Sequence, residues 1–186
     1  MMSNSTAKQP FLTVRTLATV GMLAALVFAG SYLQIPLGTS RIHLGNVFCA
    51  LSGLLFGPAV GGLASGIGSF LYDLIDPRYM AESWITFILK FVIGFLAGLI
   101  AHWGGKISLP RDILGSLAGS ACYVVLYIVK NTVKMMIAGS AFQAALGATF
   151  VDKGIAAMIN GALAVAAAVL LVQLIRPALR KAKILS

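Results

Sequence analysis

Lys90 is the only charged residue in the apolar run from Trp84 to His102, and Asn160 interrupts a second uncharged run, from Gly154 to Ile175. Between them Tyr123, Tyr127, Lys130 and Lys134 recur at i, i+4, i+7 and i+11, the spacing of one helical face, with Asn131 beside Lys130. Phenol rings, amino groups and carboxamides suit recognition: aromatic faces hold a flat ring, and Lys and Asn hydrogen-bond its edge. Arg41, His43 and Asn46 on one side, and Trp84 on the other, add further groups of the same kind. Bond-breaking patterns are absent. No G-x-x-x-x-G-K-[ST], H-E-x-x-H or G-x-S-x-G occurs, and Gly104-Gly105-Lys106 lacks the rest of a Walker motif. Ser65 and His102 have no protease motif around them, and His102 reads as a helix-end residue at the cytoplasmic surface. Cys49 and Cys122 lie inside apolar blocks and imply neither a disulfide framework nor a metal site. The expectation is a binding protein, not an enzyme, with no cofactor and no metal.

The elements that position these groups follow from composition. Of 186 residues 59% are apolar and 10% charged, and the mean hydropathy is +0.95. That is far from the roughly 25% charged residues of a soluble domain. The chain reads as an all-α membrane protein, because lipid supplies no water to satisfy an open backbone. Blocks of apolar residues, rather than alternation, exclude a β-barrel. The net charge of +9 comes from Lys and Arg that flank the blocks, which fits topology and headgroup contacts better than nucleic acid. Lys8 and Arg15 before Leu17 to Leu33 have a signal-peptide layout, with Ala29-Gly30-Ser31 as a cleavage region; the stretch is long for that role and reads as a retained first helix.

Five apolar blocks are visible, and the second holds Gly57-Pro58 and then Gly61-Gly62 at its centre. Pro58 lacks an N–H and disfavours helix at Gly57, so this block reads as two helices joined by a turn, with one kinked helix as the alternative. Six crossings put both basic tails on one side, with eight Lys and Arg there against three (Arg41, Arg78, Lys153) opposite. Five would give seven against four. The positive-inside tendency favours six, with both termini cytoplasmic. The expected architecture is one bundle of six transmembrane helices at about 11–35, 43–56, 59–74, 84–103, 112–138 and 153–176 in the cell membrane.

Counting down each helix at 1.5 Å per residue puts Lys90 and Asn160 roughly 9 Å below the external end. Tyr127, Lys130, Asn131 and Lys134 fall in the outer half of helix five. Charge at that depth costs a few kcal/mol unless it meets water or a partner. A polar pocket open to the outside accounts for the coincidence, although Lys134 and Lys90 could also snorkel to headgroups.

The stretch "RIHLGNVFCALSGLLFGPAVGGLASGIGSFLYDL", together with "WITFILKFVIGFLAGLIAH", resembles the S components of energy-coupling factor (ECF) transporters, six-helix subunits that capture vitamins. The most specific parts are HLGN, the L-L-F-G-P turn and F-I-L-K-F-V-I-G at Phe87 to Gly94. The resemblance implies capture of substrate from outside and delivery through a transmembrane T subunit and two cytoplasmic ATPase subunits. The family's A-x-x-x-A motif on helix one is matched by Ala25 and Ala29, with Gly21 in the same row, which implies partner docking there. Within the family the pattern looks most like the hydroxymethylpyrimidine subgroup, with pyridoxine compounds close by; the pocket groups would also suit riboflavin, a folate or pantothenate. The expected substrate-binding residues are Arg41, His43, Asn46, Trp84, Lys90, Tyr127, Lys130, Asn131 and Asn160, with Trp84 and Tyr127 stacking on the ring. A stand-alone secondary transporter is the alternative, but no internal repeat and no mid-membrane carboxylate is evident.

Overall fold

A computed structural model describes residues 13–37, 40–105 and 107–185. Lys8, Lys106 and the expected first residues of helix one, 11 and 12, lie outside that range. Among the described residues helices dominate, with one small hairpin: α1 (Val14–Tyr32), α2 (Gly45–Phe56), α3 (Pro58–Ile75), α4 (Ser83–Ala101), α5 (Leu109–Ile137), α6 (Phe142–Thr149) and α7 (Ile155–Lys181). The antiparallel hairpin pairs β1 (Gln34–Leu37) with β2 (Ser40–His43) in the register Gln34 with His43 and Leu37 with Ser40. Among the described residues four helical stretches are long and apolar enough to cross a membrane: Val14–Tyr32, Met80–Ala101, Leu109–Ile137 and Phe142–Lys181. Two differences from the expected six spans have physical reasons. At 12 residues α2 is shorter than a span, and α3 is diluted by Gly, Ser, Tyr72 and Asp73. The last helix does not start at 153, because Phe150–Gly154 forms a π-helical turn that continues α6 into α7.

Gly57 reverses the chain. Its φ of 85° lies where a residue with a Cβ is strained, and Pro58 starts α3 with its φ already helical. The Gly57 N–H closes α2 on Gly53 O at 2.9 Å, and the Gly57 carbonyl accepts from Gly61 N at 2.9 Å to open α3. Residues equidistant from Gly57 then meet: Gly53 touches Gly61, and Ser65 Oγ donates to Cys49 O at 3.2 Å. The two helices therefore run antiparallel side by side, and the kinked-helix alternative is excluded.

Small residues set how closely this hairpin seats on α4. A methyl built on Gly53 would strike the backbone of Gly94 and Gly98, and one on Gly98 would lie 2.5 Å from the carbonyl carbon of Gly57. The four-residue glycine rows are thus used inside the bundle, as close backbone approach in lipid requires. The same end of the molecule holds a buried ion pair. Arg176 grips Asp112 through two hydrogen bonds of 2.6 and 2.8 Å and donates to Leu54 O at 2.9 Å, and Gln173 Nε2 donates to Asp112 at 3.2 Å. Asp112 is 0% and Arg176 7% exposed. Arg176 stands at the last position of the expected final helix and counts there toward the basic tail; the helix instead runs past Pro177 to Lys181, so Arg176 lies within α7 and is buried. His102 Nε2 also reaches Leu54 O, at 3.1 Å, so it braces the end of α2. Arg15 donates to Lys183 O and Ile184 O at 3.3 and 2.8 Å, so the two ends of the described chain meet here.

At the opposite end, Asn160 of α7 clamps β2. Its Oδ1 accepts from His43 N and its Nδ2 donates to Arg41 O, both at 2.8 Å, so the carboxamide caps the strand as a neighbouring strand would. His43 is buried, and its Nδ1 accepts from Gly45 N at 3.1 Å. Burial first, then the positive charges of Lys90 and Arg41, hold its imidazole well below the ordinary value, in the neutral form.

Two measurements test these contacts. Gly53→Leu is expected to lower the unfolding midpoint strongly in detergent, by about 1–3 kcal/mol of overpacking or more, whereas Gly147→Ala, at a glycine with open space around it, should be neutral or slightly stabilising. For His43 the sign follows from proton uptake: the folded state binds fewer protons than the unfolded chain, so its stability rises with pH across the window between the two pKa values. The midpoint should therefore fall as pH drops below about 6.5, and His43→Gln should flatten that dependence between pH 7.5 and 5.

Candidate functional site

The hairpin end encloses a cavity of about 370 Å³ between β2, the end of α3, the loop after it, and α4, α5 and α7. That volume is within the range of small-molecule sites. Of the residues singled out from the sequence, Arg41, His43, Lys90, Tyr127, Lys130, Asn131 and Asn160 all line it. Three helices and the hairpin bring them together because each turns its polar residues into the same space. Asn46 sits behind this wall, with its Oδ1 accepting from Lys90 Nζ. Asn160 already spends one donor and one acceptor on β2 and so positions the hairpin; Asn131 Nδ2 donates back to Tyr127 O at 2.8 Å.

Trp84 departs from the expectation. It is 61% exposed and lies with Ile67, Phe70, Leu71, Phe87 and Ile88 along an outer apolar cleft between α3 and α4. At the first turn of α4 its ring points away from the bundle, so it does not face Tyr127. The aromatic wall inside is instead Tyr123 stacked on Tyr127, centroids 5.6 Å apart and planes at 26°, with Tyr72 and Tyr79 across the cavity.

Three charge clusters shape the site. Arg41 is held by Asp73 at 2.9 Å and Asp76 at 3.0 Å, and its guanidinium lies over the rings of Tyr79 (4.1 Å) and Tyr72 (4.6 Å). Asp76 also takes Arg78 at 2.8 Å, and the Arg78 hydrogen bond, despite some burial, keeps the Asp76 carboxyl below the usual carboxylate range. Glu82, in the 3-10 turn Met80–Glu82, bridges Lys130 and Lys134 of α5. This bridge ties the loop after α3 across the mouth, and it gives Lys134 a partner in place of lipid headgroups. Deeper, Lys90 is 5% exposed, with its ammonium 4.3 Å from the centroid of the Tyr123 ring. The sequence places the loop around Asp76 to Trp84 at the site but marks none of Tyr72, Asp73, Asp76, Tyr79 and Glu82 as an individual site residue. The available signal was that four of the five acidic residues fall at the same end as the unusual lysines. Among the described residues no group of His, Cys, Asp or Glu could hold a metal ion.

Comparison with known proteins follows the same outline. The family described as "ECF-type riboflavin transporter, S component" matches residues 11–177. A solved S component of a bacterial ECF transporter superposes with a TM-score of 0.65 at 16% identity, covering 89% of this chain and 97% of that one, which establishes the shared fold. Among curated relatives, an uncharacterised protein of Pyrococcus woesei is 35% identical over 98 residues (52% of this chain, 62% of that protein). A UPF0397 protein of Lactiplantibacillus plantarum is 30% identical over 107 residues (56% and 55%). A UPF0397 protein of Lactobacillus delbrueckii subsp. bulgaricus is 24% identical over 158 residues (81% and 82%). The chain thus spans little more than half the length of the first two. A charged cavity inside an apolar helical bundle, with no catalytic motif and a family match across nearly the whole sequence, places this membrane-embedded chain among the S components of ECF-type transporters, a family of transporter subunits and not of enzymes.

Proposed function

We propose that this chain is the substrate-capturing subunit of an ATP-driven ECF importer in the cell membrane and takes a small planar vitamin or vitamin precursor from outside. The observation that carries the reading is the cavity at the hairpin end, walled by Tyr123 and Tyr127 and closed by the Glu82 bridge. The hairpin end is external on this reading, because Arg15, Arg111, Arg180, Lys181 and Lys183 gather toward the other end, where the two chain ends meet. Six passes, with α2 and α3 as a re-entering pair, then leave both termini cytoplasmic. Riboflavin comes into consideration from the family's description, and hydroxymethylpyrimidine and pyridoxine from the sequence pattern. All three are flat rings bearing nitrogens and hydroxyls, suited to tyrosine faces and Lys or Asn edges.

The energy would come from partners, a transmembrane T subunit and two cytoplasmic ATPases, since this chain has no nucleotide-binding motif. The docking ridge on α1 supports this. Gly21, Ala25 and Ala29 are all exposed, and a methyl on Gly21 would meet nothing within 4 Å, so this row of small residues is left free by its own bundle.

Calorimetry on the purified subunit in detergent tests capture. Trp quenching is a poor reporter, because Trp84 and Trp103 both lie outside the cavity. A member of the vitamin panel should bind, and Tyr127→Ala should weaken it at least about tenfold, or 1.4 kcal/mol; no binding by any member would overturn the reading. Ala25→Leu should leave that affinity unchanged but abolish co-purification with the T subunit and ATP-dependent uptake in vesicles.

A further inference from the structure

The cavity is not electrically balanced. Arg41 and Arg78 are matched by Asp73 and Asp76, but Lys130 and Lys134 share the single carboxylate of Glu82. Lys90 has no carboxylate within ion-pair distance among the described residues; Asp73, which acts on it from further off, is already held by Arg41. The contacts of Lys90 are the Asn46 carboxamide oxygen and the face of Tyr123. An ammonium donates three hydrogen bonds, so the Asn46 bond leaves donors over. Asn46 is 1% exposed, and its Nδ2 also lacks a partner. Two buried, under-used donor groups therefore lie next to each other beside the cavity that Lys90 lines.

Magnitudes say what is missing. A cation over a ring is stabilised by less than an ammonium loses in solvation on entering a membrane bundle. The protein satisfies its other buried cation, Arg176, with a carboxylate, Asp112, and leaves Lys90 without one. An acceptor carrying negative charge, supplied by a ligand, would close the deficit, because charge-assisted bonds are about twice as strong as neutral ones.

We propose that Lys90, with Asn46 beside it, is an anion subsite at the base of the cavity, so that the captured compound is a flat ring carrying a carboxylate or phosphate. The inference rests on the capture reading above and adds the charge of the substrate to it. Lys130 and Lys134 line the same cavity nearer the mouth, by about 10 and 16 Å of helical rise along α5 from Tyr123. They are already engaged with Glu82, and they draw the anion inward without fixing it.

The test is calorimetry on the full chain in detergent with matched ligand pairs: nicotinate and nicotinamide for a carboxylate, pyridoxine 5′-phosphate and pyridoxine, and flavin mononucleotide and riboflavin, for a phosphate. The anionic member of at least one pair should bind about tenfold or more tightly than its neutral partner, and the pair that shows it distinguishes carboxylate from phosphate. That preference should vanish in Lys90→Met, survive in Lys90→Arg, and persist in Lys134→Met. Neutral members binding as well as or better than anionic ones in the wild-type chain would overturn the anion subsite and leave capture standing, as would a preference that follows Lys134 instead. Binding by no member of any pair would overturn the anion subsite; binding neither by any of these nor by hydroxymethylpyrimidine would overturn both. The wild-type comparison stands on its own if Lys90→Met fails to fold.

Discussion

Every charge drawn inside this bundle has to be met by something other than water, and that constraint organises the molecule. A buried ammonium or guanidinium left without a partner destabilises by several kcal/mol. The chain answers with ionic knots that join elements far apart in sequence. Arg41 links β2 to Asp73 and Asp76 at the end of α3; Glu82 links the following loop to Lys130 and Lys134 of α5; Asp112 and Arg176 link α5 to α7. The first two knots frame the cavity, and the third anchors the opposite end of the bundle. The cavity exists because the first two knots sit at its rim, with tyrosine faces and one lysine left to fill the space beneath.

Those knots form only because the backbones can come close. Gly53, Gly57 and Gly61 on one side, and Gly94 and Gly98 on the other, let α2, α3 and α4 meet with no side chain between them. This contact fixes the depth of Lys90, since the helix that carries it is seated by Gly94 and Gly98 on the Gly57 hairpin. Asn46, at the start of α2, is then held against Lys90. Hairpin packing and the polar lining are therefore one arrangement, in which a shift of α4 by a methyl's width displaces the lysine from the Asn46 carboxamide oxygen.

Much of this was legible in advance, for reasons that can be stated residue by residue. Gly57-Pro58 announced a reversal because one residue tolerates positive φ and the next cannot continue a preceding helix. Lys90, Tyr127, Lys130, Asn131 and Asn160 were conspicuous because polar groups are rare in apolar runs, and helical rise places them at one depth. What escaped was direction around a helix axis and partnership across the chain. Trp84 shared the depth of the site but faces the opposite side of α4. Arg176 looked like one more tail cation because nothing local marks its pairing with Asp112, 64 residues away. The β-hairpin at Gln34–His43 falls where the sequence suggests only a loop between helices ending near 35 and starting near 43, since four-residue strands carry little periodicity.

The sequence by itself determined that this is an apolar, helical membrane protein without the catalytic motifs sought, and that Lys90 and Asn160 lie within its apolar runs. Composition and periodicity are local properties that burial acts on directly. The tertiary structure decided which residues face one another, which are spent holding the frame, and that Lys90 has no carboxylate within ion-pair distance among the described residues. Those outcomes depend on helix rotation and on contacts between elements far apart in the chain, where energies of a few kcal/mol per buried charge choose among packings that the sequence pattern alone treats as equivalent.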